Sequence, residues 1–140
     1  MQRQPLFKPV KKLFLAGLLC LLPLLLTACA DNTPPGDVAR HYLDDMNSSS
    51  FSAAYDLLTA DSQLKVSRSQ YEDRLKRARQ DAGIVKSEVV QVKEPSIAGK
   101  RASVPYQLEV TLQNGQKLSL FESMVLLQQE GGWRVIWPPQ

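Results

Sequence analysis

Ser62 and Lys65 stand three residues apart in Ser62-Gln63-Leu64-Lys65, a spacing that lets a lysine amine take the proton of a serine nucleophile. That chemistry needs further serine, asparagine and lysine motifs on a much larger domain. The chain carries none of them, so the motif reads as a surface turn. His41 is the only histidine, and with Asp44 or Asp45 close in sequence it has the makings of a general base. On a helix it falls beside the apolar stripe rather than within it, which is the place of a solvated boundary residue. No second histidine exists to complete a metal site around it. Arg68, Arg74, Lys76, Arg77 and Arg79 crowd one stretch, a surface suited to phosphate head groups or an acidic glycan. Glu72, Asp73 and Asp81 interleave with them, and 72/76 and 73/77 have the favourable i, i+4 spacing. This stretch therefore reads as a solvated, salt-bridged helix face.

The N-terminus offers a different chemistry. Arg3, Lys8, Lys11 and Lys12 head the chain without an acid, and the 14 residues from Leu13 to Leu26 are apolar. A bilayer span needs about 20 apolar residues, so the run is short for a permanent helix and has the form of a secretory signal. Leu26-Thr27-Ala28-Cys29 at its end resembles a bacterial lipobox, in which the cysteine thiol is acylated and the bond before it is cut. Residues 1–28 are then a cleaved leader and 29–36 a lipidated tether, with acylated Cys29 holding the mature chain on the membrane. Each buried methylene contributes about 0.8 kcal/mol, and two or more acyl chains hold far more firmly than one. Anchoring is expected on the extracytoplasmic side of the bacterial membrane. In a Gram-negative diderm, Ala30 after the cysteine gives no retention signal, which implies the periplasmic leaflet of the outer membrane.

Removing the leader takes four of the 17 basic residues and none of the 14 acids, leaving a net charge of −1. The isoelectric point near 8.9 thus mainly describes the leader, and a nucleic-acid partner is excluded. Cys20 leaves with it and Cys29 is consumed by lipid, so neither a disulfide nor thiol chemistry remains.

Residues 37–140 read as one domain. Val38, Tyr42, Leu43 and Met46 form one stripe of a first helix beginning at Asp37. Ser50 can cap a second, with Phe51, Ala54, Tyr55 and Leu58 inward. Thr59-Ala60-Asp61 reads as a break. Ser67 with Gln70 makes a capping box for a third helix, whose stripe is Tyr71, Leu75 and Ala78 and which stops at Gly83. Beyond Gly83 the period becomes two. Val85, Val90 and Val92 mark a half-exposed strand, and Ala102, Val104, Tyr106, Leu108, Val110 and Leu112 share one face of a second. Asn114-Gly115 predicts a two-residue hairpin turn with both residues at positive φ, leading into KLSLFESMVLLQQ. Glu130-Gly131-Gly132 turns again, and Trp133, Val135 and Trp137 line one face of the last strand. Three helices followed by four antiparallel strands predict an α+β domain, helices on one face of a curved sheet.

This order resembles the nuclear-transport-factor-2-like cone. Phe51–Leu58 (FSAAYDLL), Tyr71–Ile84 (YEDRLKRARQDAGI) and Gly132–Pro138 (GWRVIWP) resemble, more narrowly, the non-catalytic N-terminal domain of methicillin-resistance-type penicillin-binding proteins. The resemblance covers about residues 36–138. The family usually has an acid between the last valine and tryptophan, where this chain has Ile136. In the family the domain spaces a transpeptidase from the membrane, and here the chain stops where that enzyme would begin. The resemblance implies a lipid-anchored accessory or binding domain without catalysis or cofactor, linked to a cell-wall-synthesis partner and to antibiotic response. Cones of this type often enclose a pocket, and relatives with a buried acid and tyrosine are isomerases or dehydratases. The residues implied for lining it are Tyr42, Tyr55, Tyr106, Glu109 and Glu122. Glu122 is conspicuous because it interrupts an otherwise apolar strand, although on a two-faced strand it can equally point outward. A small pocket enzyme or a carrier of an apolar ligand is the alternative function.

Overall fold

The structure, a computed structural model, describes residues 32–139. The leader and Cys29 lie outside them. Four helices come first: α1 (Pro35–Asn47), α2 (Phe51–Asp56), α3 (Ala60–Lys65) and α4 (Arg68–Asp81). Strands β1 (Ile84–Val92), β2 (Ser96–Ala98), β3 (Arg101–Leu112), β4 (Lys117–Gln129) and β5 (Gly132–Val135) complete the chain. The sheet runs β1-β3-β4-β5, antiparallel throughout, and β2 pairs with β3 beyond the end of β1. The fold is α+β, with the helices packed on one face of a curled antiparallel sheet.

Local chemistry explains the helix ends. α1 starts at Pro35, two residues earlier than Asp37, because proline's fixed φ suits the first helical turn and its missing N–H is not needed there. Ser50 precedes α2 as expected, but its side chain makes no capping hydrogen bond. The expected break at 59–61 is instead a helix start. The Thr59 hydroxyl accepts from the Ser62 N–H and caps α3, a short helix that apolar periodicity does not disclose. The Ser67–Gln70 capping box is present in both directions, and Gly83 ends α4's turn at φ 64°.

The hairpin between β3 and β4 is longer than the two-residue turn expected. Leu112 and Gln116 flank a three-residue loop in which the Gly115 N–H donates to the Leu112 carbonyl, and only Gly115 has positive φ (80°). The Asn114 side chain accepts from the Gln116 N–H at 2.9 Å, which stabilises the loop without asparagine entering the left-handed region. Two register shifts, at Val85 and Val90, leave those valines out of the β1–β3 ladder and exposed.

The core lies between the helices and the inner sheet face, with Ala39, Ala54, Leu58, Tyr71, Val104 and Leu126 almost fully buried. Residues directly paired across antiparallel strands share a face. Tyr106 with Glu122, Val104 with Met124, and Leu108 with Leu120 therefore all stand on the inner face. The helices cover only part of it. Met124 and Leu126 are buried, whereas 117–123 of the same strand are exposed, so the cone stays open along the first half of β4. The segment joining α2 to α3 pairs with the outer edge of β5: the Thr59 N–H donates to the Val135 carbonyl (2.9 Å) and the Val135 N–H to the Leu57 carbonyl (2.8 Å). That pairing closes one sheet edge.

Candidate functional site

A cavity of about 400 Å³ occupies the open end of the cone, within the range of small-molecule sites, roughly 300–1,000 Å³. Its wall is mainly apolar. Leu43 and Met46 come from α1, Leu75 and Ala78 from α4, Leu108 and Leu120 from the sheet, and Trp137 from the C-terminal segment. Trp137 is held in place from three sides. Its ring meets Tyr71 edge-on at 5.2 Å, the Arg74 guanidinium lies 5.8 Å from its centroid, and its backbone N–H donates to the Ser62 hydroxyl at 2.9 Å.

Two of the five tyrosine and glutamate candidates line the cavity: Tyr42 and Tyr106. The Tyr42 and Tyr71 hydroxyls hydrogen-bond at 2.8 Å in the interior, and the Tyr71 hydroxyl also reaches Met46 Sδ at 3.6 Å. Burial raises the pKa of both phenols; for Tyr42 the bond to Tyr71 partly offsets it, and for Tyr71 the neighbouring Tyr42 adds to it. The Tyr106 hydroxyl donates to Glu122 Oε2 at 2.9 Å. Burial and then this bond to a carboxylate hold the Tyr106 phenol well above its ordinary range. Glu122 shares the inner face with Tyr106 through their direct pairing, so it does not point to the sheet's outer side. It is solvent-exposed and stands outside the cavity wall.

Tyr55 and Glu109 are elsewhere. Tyr55 turns under the α2–α3 link, where its hydroxyl donates to the Val66 carbonyl at 2.9 Å, with the Arg68 guanidinium 4.6 Å from its ring centroid. Glu109 pairs with Ser119 and lies one residue out of phase with Tyr106 and Leu108, which puts it on the outer face. There it accepts from Lys117 Nζ at 2.8 Å.

The remaining candidates have structural or solvated surroundings. Ser62 is buried at 3% exposure, and so is not on a surface turn. Its hydroxyl is shared between Thr59 (2.7 Å) and the Trp137 N–H, with no contact to Lys65. His41 is 67% exposed, with Nε2 3.6 Å from Asp45 Oδ2, a buried oxygen that has no hydrogen-bond donor. On α4, Lys76 and Glu72 are paired at 3.5 Å. The 73/77 pair takes another form, Arg77 Nε donating to the Asp73 backbone carbonyl at 3.2 Å. Among the described residues no group of three or more His, Cys, Asp or Glu is placed to hold a metal ion.

Three polar residues of the cavity, Arg79, Asn47 and Ser87, were missed as lining residues in the sequence. Arg79 lines the wall and donates to the Met46 carbonyl at 3.2 Å, at the end of α1. Beside it Ser87 donates to Asn47 Oδ1 at 2.6 Å, both residues also lining the cavity. Spacing held the signal for Arg79: it lies four residues after Leu75 and eight after Tyr71, on the inward stripe of α4. Counting it among the charges of a solvated face hid that position.

Comparison with known proteins accounts for this architecture. The sequence model of the NTF2-like (nuclear-transport-factor-2-like) N-terminal transpeptidase domain matches residues 34–140. No match is found among curated proteins. Solved structures with a similar fold include a SEC-C motif protein from Rhodopseudomonas palustris (14% identity, TM-score 0.55, covering 73% of this chain and 74% of that one). A hypothetical protein with a ketosteroid-isomerase-like fold from Catenulispora acidiphila, solved in complex with trimethylamine, is 15% identical (TM-score 0.54, 74% and 85% covered). A SnoaL-like polyketide cyclase from Agrobacterium tumefaciens is 17% identical (TM-score 0.51, 71% and 86% covered). These likenesses show the fold and leave the chemistry to the site. The chain belongs to the family of NTF2-like N-terminal transpeptidase domains.

Proposed function

We propose that this chain is a lipid-anchored, extracytoplasmic binding domain that recognises an apolar ligand in its cone and serves as an accessory to cell-wall assembly. The observation that carries the binding role is the open apolar cavity of about 400 Å³. A hydrocarbon chain of about ten carbons buried there gains on the order of 8 kcal/mol at about 0.8 kcal/mol per methylene. Association costs roughly 4–15 kcal/mol, so the expected affinity is modest unless a polar contact adds to it. The anchor rests on the basic head, the short apolar run and Leu26-Thr27-Ala28-Cys29. The accessory role, and with it a link to antibiotic response, rests on family membership.

In-cell crosslinking followed by mass spectrometry tests the partner. Recovery of a transpeptidase or another wall-assembly protein is the expected result, and an empty result beside an efficiently crosslinked control lipoprotein contradicts it. The anchor has its own test: a Cys29→Ser chain should take up no alkynyl fatty acid and should leave the membrane fraction.

A second reading, a pocket enzyme of the isomerase type, is favoured by one observation, the 2.9 Å bond from the Tyr106 hydroxyl to Glu122. In it Glu122 would be the proton acceptor and Tyr106 the donor to a developing oxyanion. Against it stands the exposure of Glu122, which leaves the carboxylate in water instead of in the apolar chamber. Glu122→Gln discriminates the two: the binding reading expects apolar-ligand affinity within about twofold of wild type, a change of roughly 0.4 kcal/mol.

A further inference from the structure

Among the described residues, Arg79 is the one cation in the wall of the cone. It is half-buried, and among the described residues no carboxylate lies within ion-pair distance of it, its single hydrogen bond being to the neutral Met46 carbonyl. A guanidinium has five donors, so most of its fork is unused. Withdrawing such a charge from water without a counter-ion is unfavourable, and a bound anion would offset the cost. Asn47 stands in the same wall with its Oδ1 occupied by Ser87, which leaves its amide N–H groups as donors. A second, shallower cavity shares Phe51, Arg79 and Ile84 with the cone and adds Lys76, Gln80 and Gln113, with no acid in its lining. Lys76 is engaged by Glu72 at 3.5 Å and contributes only in part. Glu122, held by the Tyr106 hydroxyl, stands on the inner sheet face outside both linings, so among the described residues no carboxylate of either wall competes for Arg79.

From this juxtaposition of an apolar chamber with an unpaired guanidinium at its junction with a cationic cleft, we infer that the ligand is a single-chain amphiphile with an anionic head. The tail lies among Leu120, Met124 and Trp137, and the head meets the Arg79 fork, which matches a carboxylate or a phosphate in two parallel hydrogen bonds. The inference rests on the reading of the cone as a binding site and names its ligand class.

Photoaffinity labelling of the full chain in neutral phosphatidylcholine vesicles tests it. The probes share one diazirine-bearing alkyl chain and differ in head: carboxylate, phosphate, alcohol or trimethylammonium. The expected result is saturable labelling of cavity peptides, those bearing Tyr106, Leu120 and Trp137, by the two anionic probes. Their midpoints should rise about tenfold in Arg79→Gln, as for loss of a charge-assisted hydrogen bond. They should recover only in part in Arg79→Lys, which restores the charge but not the two-pronged fork, while the alcohol's midpoint is the same in all three chains. The ratio of the carboxylate to the phosphate midpoint tells which head the fork prefers. Equal midpoints for anionic and neutral probes, or anionic midpoints indifferent to Arg79→Gln, would overturn the inference and leave the apolar binding site standing. Tighter binding of the cationic probe overturns it as well. Absence of saturable cavity labelling by every probe would sink the binding reading together with the inference.

Discussion

At the scale of single residues, strand register and helix phase decide what a polar side chain can do: Glu122 meets Tyr106 on the inner sheet face, and Arg79 reaches the cavity wall from the inward stripe of α4. Ser62 shows how a motif match can conceal a structural role: its hydroxyl joins Thr59 at the cap of α3 to the Trp137 N–H of the C-terminal segment. Ser62→Ala leaves both partners short of a bond in the interior. It should cost about 1–2 kcal/mol and lower Tm by roughly 5–10 °C; an unchanged Tm would show that water replaces the hydroxyl. The buried tyrosines set an alkaline limit. Below about pH 10 neither Tyr42 nor Tyr71 ionises in the folded or the unfolded chain, so their contribution is intact there. Above that pH the unfolded chain releases protons that the folded chain retains, and each phenol removes about 1.4 kcal/mol of stability per pH unit. Tyr71→Phe should therefore flatten the loss of stability between about pH 9 and 11 by roughly one proton's worth, read from urea midpoints.

Among the elements, those with strong periodicity or a specific capping pair could be located in advance, and those made by tertiary pairing could not. The capping box at Ser67 and the alternation from Ala102 to Leu112 are local signals, and both appear as expected. α3 and β2 are six and three residues long, too short to show a period. The extra residue in the β3–β4 loop depends on register with the facing strand, which the Asn-Gly pair does not encode. The C-terminal segment owes its importance to where it docks. β5 pairs on one side with β4 and on the other with the α2–α3 link, and Trp137 closes on Tyr71. Deleting residues 133–140 would remove two tryptophans and reopen a sheet edge, and is expected to abolish cooperative thermal unfolding. Trp137→Ala, which keeps β5, should cost about 2–3 kcal/mol by circular dichroism, less than a fully buried tryptophan because one side of the ring faces the cavity.

The molecule as a whole is a cone whose helices stop short of one end of the sheet, and the cavity follows from that shortfall. Neither α1 nor α4 reaches the first half of β4, so its inner residues face open space rather than a packed core. This arrangement depends on relative lengths in three dimensions, which is why the sequence disclosed a helix-on-sheet domain yet only two of the five pocket candidates line the wall. Among the described residues no helix is long and apolar enough to cross a membrane, and the proposed attachment lies instead at Cys29. Whether the cone holds an apolar ligand can be read by native mass spectrometry of the full chain, purified from its own membranes. The predicted spectrum shows one small amphiphile bound per chain, lost when Leu120→Trp fills the cavity while Tm is maintained. A wild-type chain that flies empty, or an adduct retained at the same stoichiometry by the filled variant, would contradict it.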